Sequence, residues 1–175
     1  MIFNEIMTKY WSNEIDKQGI KNLYQNRVNT SDLTLSLNVA FSSKDKSSLE
    51  NCFFVANTLN LFSTENEAII SKLIVENWHK EHEDIAGLFQ RNFNNNKQNI
   101  QILLQAINNI PEYLQDDDFK YPYIRKLIYA IGAQLEKDNI ETLLILAKSE
   151  DEQIGKLALH QIKKRKELGR WENEQ

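Results

Sequence analysis

The first place where residue type and spacing could support chemistry is a pair of histidines. His79 and His82 lie three residues apart, and two acidic residues follow them directly. Helical zinc motifs separate two histidines by four residues, so that both imidazoles leave the same face of the helix. Here the spacing is three, and the segment reads as a turn between two helices. We therefore expect a solvated turn and no bound metal.

The second place is a segment rich in acidic and aromatic residues. A calcium loop alternates its oxygen donors and contains a glycine turn, and this segment has neither feature. One interpretation is a solvated acidic loop in which an aspartate caps the next helix. The other is a binding surface, where carboxylates attract a basic protein partner and aromatic rings supply contact area. The candidate partner-binding residues are Glu112, Tyr113, Asp116, Asp117, Asp118, Phe119, Tyr121 and Tyr123.

The third place is a basic run at residues 163–166, which resembles a nuclear-localisation or nucleic-acid patch. It falls at the end of the last predicted helix, where cations interact favourably with the helix dipole, so we expect a solvated helix end. His160 is expected on the helix surface, and Trp171 either docks on the last helices or is mobile. Motifs for a nucleophile elbow, a phosphate-binding loop or a dinucleotide turn do not occur. We therefore expect no enzymatic activity and no cofactor.

Composition favours a helical protein that binds neither nucleic acid nor membrane. The chain has 175 residues, of which 41% are hydrophobic, but it has only 5 Gly and 2 Pro, too few for a β fold rich in turns. The formal net charge of -4 gives no general attraction to phosphate backbones. One cysteine cannot form an internal disulfide, and the sequence has neither a basic leader nor an apolar run of membrane-spanning length. We expect a cytoplasmic location.

A turn-plus-helix pattern recurs along the chain. An aliphatic residue follows a polar turn at Leu49, Ile85, Ile124 and Ile154, at intervals of 36, 39 and 30 residues. Periods of this length are typical of stacked helical hairpins, which bury each unit against its neighbours. The positions three and four residues further on complete one apolar stripe per helix. These are Cys52 and Phe53, Leu88 and Phe89, Leu127 and Ile128, and Leu157 and Ala158.

The expected helices follow from the spacing of the apolar residues and from the positions of residues that can cap a helix. One segment is ambiguous. In residues 33–41 hydrophobic and smaller or polar residues alternate as in a strand, but Leu33, Leu37 and Phe41 also align on a helix. We predict a helix because a single strand would have no partner. The predicted helices are 2–11, 14–27, 32–42, 47–61, 63–78, 84–93, 98–109, 121–135, 139–148 and 152–168. Expected caps are Ser12, Ser31 with Asp32, Ser63, Asp138 and Asp151, and Pro122 is expected in a first helical turn.

The turns before two of these helices resemble the turn inside HEAT and armadillo-type repeats. The residues that carry the resemblance are Ser42, Ser43, Lys44, Asp45, Leu49 and Phe53, and then Ser149, Glu150, Asp151, Ile154 and Ala158. The resemblance implies a single all-α domain, a right-handed α-solenoid of about four degenerate hairpins over residues 31–168. Residues 1–28 would form a capping hairpin, and residues 169–175 a tail.

A small acidic helical-repeat protein without catalytic motifs also resembles the immunity proteins of bacterial contact-dependent and other polymorphic toxin systems. This resemblance implies a non-enzymatic protein that binds and neutralises a cognate toxin domain, expected to be a basic nuclease. Two alternatives stay open. One is a general scaffold or adaptor protein, and the other is a HEAT-like alkylpurine DNA glycosylase, which would need a basic groove and a catalytic aspartate.

Overall fold

The computed structural model describes residues 1–135 and 138–169, and at residue 138 it describes the backbone alone. Within these ranges the chain forms ten α-helices and two short 3-10 helices, and it contains no β-strand. The all-α prediction is confirmed. The chain divides into two compact units, Met1–Glu81 and His82–Gln175, which are described in turn. A single domain and a right-handed solenoid remain predictions.

The first unit is built around its fourth helix. Its α-helices are α1 (Ile2–Trp11), α2 (Lys17–Tyr24), α3 (Thr30–Ser43), α4 (Lys46–Leu59) and α5 (Glu67–Leu73), and a short 3-10 helix (Thr64–Asn66) precedes α5. Helix α4 packs against α1, α2 and α3, while α3 also contacts α5. The predicted stripe of Leu49, Cys52 and Phe53 on α4 is buried, which confirms its orientation. Burial of this apolar surface stabilises the unit.

The ambiguous segment 33–41 is helical and belongs to α3. Leu33 and Leu37 are fully buried, whereas Leu35 lies on the opposite side with 68% of its surface exposed. The helix begins at Thr30, two residues before the predicted start, because Asn29 accepts hydrogen bonds from the Ser31 and Asp32 backbone N–H groups. The Asp32 carboxylate in turn accepts from the Asn29 N–H, which completes a capping box. The helical prediction is confirmed, and the predicted cap was wrong.

Helix α5 is shorter than predicted, and a side chain from beyond its end binds the carbonyl of its last residue. Ser63 caps the short 3-10 helix that precedes α5, through a hydrogen bond from the Glu65 N–H, and α5 itself ends at Leu73 rather than near Trp78. The His79 Nε2 atom lies 2.8 Å from the Leu73 carbonyl oxygen. One of the unsatisfied carbonyls at the helix end is thereby hydrogen-bonded from outside the helix.

Helix α2 is also shorter than predicted. The Ser12 hydroxyl donates to the Lys9 carbonyl instead of capping a helix, and Asn13 has a left-handed backbone with φ of 60°. The cap is Asp16, whose carboxylate accepts from the Gly19 N–H at 2.7 Å. The chain therefore needs a turn of several residues between α1 and α2, and the prediction of helix from residue 14 was wrong.

The second unit is built around its longest helix. Its α-helices are α6 (His82–Arg91), α7 (Asn99–Asn108), α8 (Asp117–Ala133), α9 (Asp138–Leu146) and α10 (Glu152–Glu167), and a short 3-10 helix (Glu112–Leu114) precedes α8. Helix α8 packs against α6, α7, α9 and α10. None of the helices among the described residues has the length and apolarity that a membrane span requires.

The predicted stripes of the second unit are confirmed on α6 and α8 and are weaker on α10. Ile85, Leu88 and Phe89 are buried, as are Ile124, Leu127 and Ile128. On α10, Ala158 is buried, but Ile154 and Leu157 are half-exposed. Helix α10 packs against α8 and α9, and these two neighbours cover only part of its stripe.

The caps of α8 and α10 fix where these helices begin. Asp116 accepts from the Asp118 N–H, so α8 begins at Asp117, about one turn earlier than predicted. Pro122 consequently lies in the second turn, where its missing N–H leaves no donor for the Asp118 carbonyl. Asp151 caps α10 as predicted, through the Gln153 and Ile154 N–H groups. The predicted cap at Asp138 concerns a side chain outside the described residues.

Candidate protein-binding surface

Four exposed carboxylates and one exposed aromatic ring lie close together in the sequence at the start of α8. Glu112, Asp116, Asp117 and Asp118 are exposed, and Phe119 exposes 55% of its surface beside them. We call these five residues the acidic surface. The sequence pattern suggested a loop here, but Glu112 lies in the short 3-10 helix and three of the other four lie in the first turn of α8.

Helix geometry explains why three aspartates are stable next to one another. Asp116 is the N-cap, and Asp117 and Asp118 occupy the first turn, where free N–H groups and the helix dipole favour negative charge. The four carboxylates form no ion pair with the cations of the described residues. Their charge therefore remains uncompensated at the surface.

The three tyrosines among the candidate partner-binding residues differ in their exposure to solvent. Tyr113 and Tyr121 are half-buried and fixed by hydrogen bonds, the first with His82 Nδ1 at 2.9 Å and the second to an Asp151 carboxylate oxygen at 3.2 Å. Tyr123 is 0% exposed, and burial raises the pKa of its hydroxyl above the ordinary value. Tyr123 is a core residue, so we remove it from the candidate partner-binding residues.

Lys120 and Asp151 connect the start of α8 to the start of α10. The Lys120 Nζ atom lies 3.7 Å from an Asp151 carboxylate oxygen and 4.8 Å from the centre of the Tyr121 ring. Desolvation raises the pKa of Asp151, but hydrogen bonds from Ile154, Gln153 and Tyr121, together with the Lys120 charge, hold it below its ordinary value. Lys120 is thus paired with Asp151 and does not neutralise the acidic surface.

An open groove of about 550 Å³ lies beside these residues. Its lining combines isoleucine side chains with carboxamides, a mixture that can contact both the backbone and the side chains of a peptide. Gln115, which directly precedes Asp116, belongs to the lining together with Lys120 and Asp151. The remaining lining residues are Ile107, Asn108, Asn109, Ile110, Ile124 and Ile154.

The two histidines are buried, and the prediction of a solvated turn was wrong. His79 is bonded through both ring nitrogens, because Nδ1 accepts from the Glu81 N–H and Nε2 lies close to the Leu73 carbonyl. These partners fix a neutral imidazole with its proton on Nε2, and burial lowers the pKa of the ring. Among the described residues, no group of three His, Cys, Asp or Glu is arranged to hold a metal ion.

The basic run at the end of α10 is not uniformly solvated. Lys163, Lys164 and Lys166 are exposed, but Arg165 is only 4% exposed. Gln161, one turn earlier, is also buried. The sequence analysis missed both residues, although their spacing from Ala158 places them on the buried side of the helix. His160 is exposed as predicted and shares a hydrogen bond with the Tyr129 hydroxyl. Trp171 lies outside the described residues.

Comparison with known proteins adds no functional assignment. No family model, curated protein or solved structure matches the chain. The functional argument therefore depends on the chemistry of the acidic surface and the groove beside it.

Proposed function

We propose that this protein is a non-enzymatic binding module of the bacterial cytoplasm that neutralises a cognate toxin domain, a basic protein of nuclease type. The observation that carries the proposal is the exposed Phe119 ring among the uncompensated carboxylates of Asp116, Asp117 and Asp118. In a soluble protein, an aromatic ring so placed offers contact area that nothing within the described part of its own unit covers.

The two parts of the acidic surface would act at different stages of binding. Exposed carboxylates attract a basic partner over distances of about one Debye length, roughly 8 to 10 Å, and so accelerate association. The Phe119 ring acts after contact, where a desolvated aromatic side chain slows dissociation. A nuclease domain carries basic residues to bind phosphates, and it would therefore be attracted to such a surface.

The test is to co-express the protein with a candidate basic nuclease domain from the same genome and to measure cell survival. Replacing Asp116, Asp117 and Asp118 together with Lys should abolish protection while the protein stays folded. A matched control replaces Glu50, Glu65 and Glu141 with Lys, because these three glutamates are also exposed and the net charge changes equally. The control should protect cells like the wild-type protein.

Two results would count against the proposal. Full protection by the Asp-to-Lys variant would exclude the acidic surface from the interface. Equal loss in both variants would mean that net charge, rather than this surface, determines binding.

A general scaffold or adaptor is the second candidate, and the groove beside the acidic surface favours it. Isoleucines and carboxamides can hold an extended peptide whatever its charge. A scaffold of this kind would bind its partner equally well after the Asp116, Asp117 and Asp118 substitutions. Replacing Ile110 and Gln115 in the groove lining would instead weaken the complex.

A further inference from the structure

The outer side of α9 exposes apolar residues that nothing in the described part of the chain covers. Residues 143–146 are all apolar, so apolar side chains leave this helix on every side. Leu143 is fully buried where α9 packs against α7, α8 and α10, but Leu144 and Ile145 expose 48% and 65% of their surfaces. A single exposed apolar residue is ordinary, whereas two neighbours on a helix that is apolar on all sides indicate a surface that a partner covers.

A charged residue lies at each end of this apolar pair. Glu141 lies one helical turn before Leu144, and Lys148 lies one turn after it, in the turn that closes α9. The Lys148 N–H donates to the Ile145 carbonyl, so the lysine continues the same side of the helix. We call Glu141, Leu144, Ile145 and Lys148 the α9 face.

The two charges of the α9 face have no opposite charge beside them. Glu141 and Lys148 are both exposed, and neither forms an ion pair with another described residue. They cannot pair with each other, because side chains pair along a helix over three or four residues and these two lie about 10 Å apart along its axis. Each charge is therefore available to a partner.

The order of the four residues is self-complementary. The midpoint between positions 141 and 148 falls between Leu144 and Ile145. In a dimer with a twofold axis, residue i of one copy contacts residue j of the other, and j contacts i. Two antiparallel α9 helices related by an axis at this midpoint would place Leu144 against Ile145 of the second copy. The same register would place Glu141 against Lys148 of the second copy, twice in each dimer.

The charge pattern also favours a second copy over a different protein of uniform charge. A basic partner would be attracted by Glu141 but repelled by Lys148, and an acidic partner would meet the reverse. A second copy that lies antiparallel satisfies both charges in the register that also covers the apolar pair. Apolar contact and charge pairing thus point to the same arrangement.

We propose that the α9 face binds a second copy of this chain in an antiparallel dimer with twofold symmetry. Leu144 and Ile145 supply the buried apolar contact, and the two ion pairs set the register. Two helical turns cover less than the roughly 1,200 Å² that stable interfaces bury, so the dimer dissociates in the micromolar to millimolar range. It is independent of the proposed toxin binding, because it uses no residue of the acidic surface.

Sedimentation equilibrium of the full-length protein, from about 1 μM to 1 mM, measures the dimer. We expect the average mass to rise from one chain towards two as the concentration increases. Ile145→Asp places a charge in the apolar centre and should weaken the dimer by about tenfold or more. Leu35→Asp is the matched control, because Leu35 is similarly exposed on α3 and lies outside the α9 face. It should leave the dimer unchanged, and circular dichroism verifies that both variants are folded.

Two charge reversals test the register itself. Glu141→Lys gives a face with two basic residues and Lys148→Glu a face with two acidic ones, so each variant alone should dimerise about tenfold more weakly than the wild-type protein, or weaker still. Mixed in equal amounts, the two variants should associate with each other, because both ion pairs form again between unlike copies. A wild-type protein that stays monomeric up to about 1 mM would overturn the proposal. So would a dimer that Ile145→Asp leaves intact, or a mixture that associates no more than its separate components.

Discussion

Phe119 and Tyr123 are aromatic residues one helical turn apart, and they have opposite environments. Tyr123 is fully enclosed, whereas the Phe119 ring is exposed among carboxylates. Removing an exposed ring costs little folding free energy, but removing a ring from the centre of an interface typically costs about 2 kcal/mol or more of binding free energy. The two effects can therefore be measured separately.

We predict that Phe119→Ala increases the dissociation rate of the proposed toxin complex by roughly thirtyfold, the equivalent of about 2 kcal/mol. The melting temperature should stay within about a degree of the wild-type value, because the ring has few contacts to lose. Surface plasmon resonance gives the rate, and Leu35→Ala serves as the control, since Leu35 is also an exposed apolar residue and lies on α3. An unchanged dissociation rate would place Phe119 outside the interface.

Leu35 and Leu37 form a matched pair on α3, because one is exposed and the other is fully buried. Leu37→Ala should lower the free energy of unfolding by about 2 to 5 kcal/mol through lost burial and the cavity it leaves. Leu35→Ala should change it by no more than about 0.5 kcal/mol. Urea denaturation of both variants is the measurement, and similar losses in both would contradict the orientation of α3.

His79 makes the stability of the protein depend on pH. Burial lowers the pKa of His79 in the folded state, whereas in the unfolded chain the imidazole titrates near about 6.5. Folding therefore favours neutral His79. The resulting contribution to the free energy of unfolding is fully present above about pH 6.5, and it is lost as the pH falls through the lower folded-state pKa. Protonation would also remove the acceptor for the Glu81 N–H.

The expected result is that the urea midpoint of the wild-type protein falls between pH 7.5 and pH 5. A His79→Gln variant cannot titrate at this position, so its midpoint should fall less steeply over the same range. Equal slopes in the two proteins would mean that other groups cause the acid sensitivity.

At the scale of a single element, Asp116 combines a structural and an electrostatic role at the start of α8. Its carboxylate caps the Asp118 N–H, and a lost N-cap typically costs about 1 kcal/mol of stability. Asp116→Ala should therefore destabilise the protein by about this amount, whereas Asp116→Ser should retain most of the stability because a hydroxyl can also cap. Thermal unfolding measures both variants, and equal destabilisation would show that charge rather than capping matters.

A helix boundary could be predicted when a residue at that boundary fixes it, and not when a residue outside the helix does. The start of α10 was predictable because Asp151 is a local cap. The end of α5 was not predictable, because the His79 ring that binds the Leu73 carbonyl lies in a segment that sequence patterns assign to a solvated turn. Gln161 and Arg165 were also missed. Polar and charged residues are usually exposed, but the positions of these two along the helix place them on its buried side.

For the whole molecule, the amino-acid composition and the spacing of apolar residues together were enough to predict the all-α class. Few glycines and prolines and a regular three-to-four spacing of apolar residues left little room for a sheet. The apolar stripes also predicted which face of α4, α6 and α8 is buried. They could not predict the packing partners, because a stripe determines which side of a helix leaves water and not which neighbour covers it.

The net charge leads to a prediction about the kinetics of the whole molecule. With a net charge of -4 and an uncompensated acidic surface, association with a basic toxin should slow by about tenfold or more between low and high salt. Dissociation should change little over the same range. Stopped-flow mixing across a series of NaCl concentrations measures both rates, and a salt-independent association rate would contradict electrostatic attraction.

Cys52 gives the first unit a natural reporter of its own opening. The chain has one cysteine, it is fully buried on α4, and burial raises the pKa of its thiol to about 12. A thiol reagent can therefore react only when the helices around α4 separate, and the labelling rate counts these separations without any added probe. Local fluctuations of this unit can thus be timed in the wild-type protein, in a cell extract or in the presence of a partner.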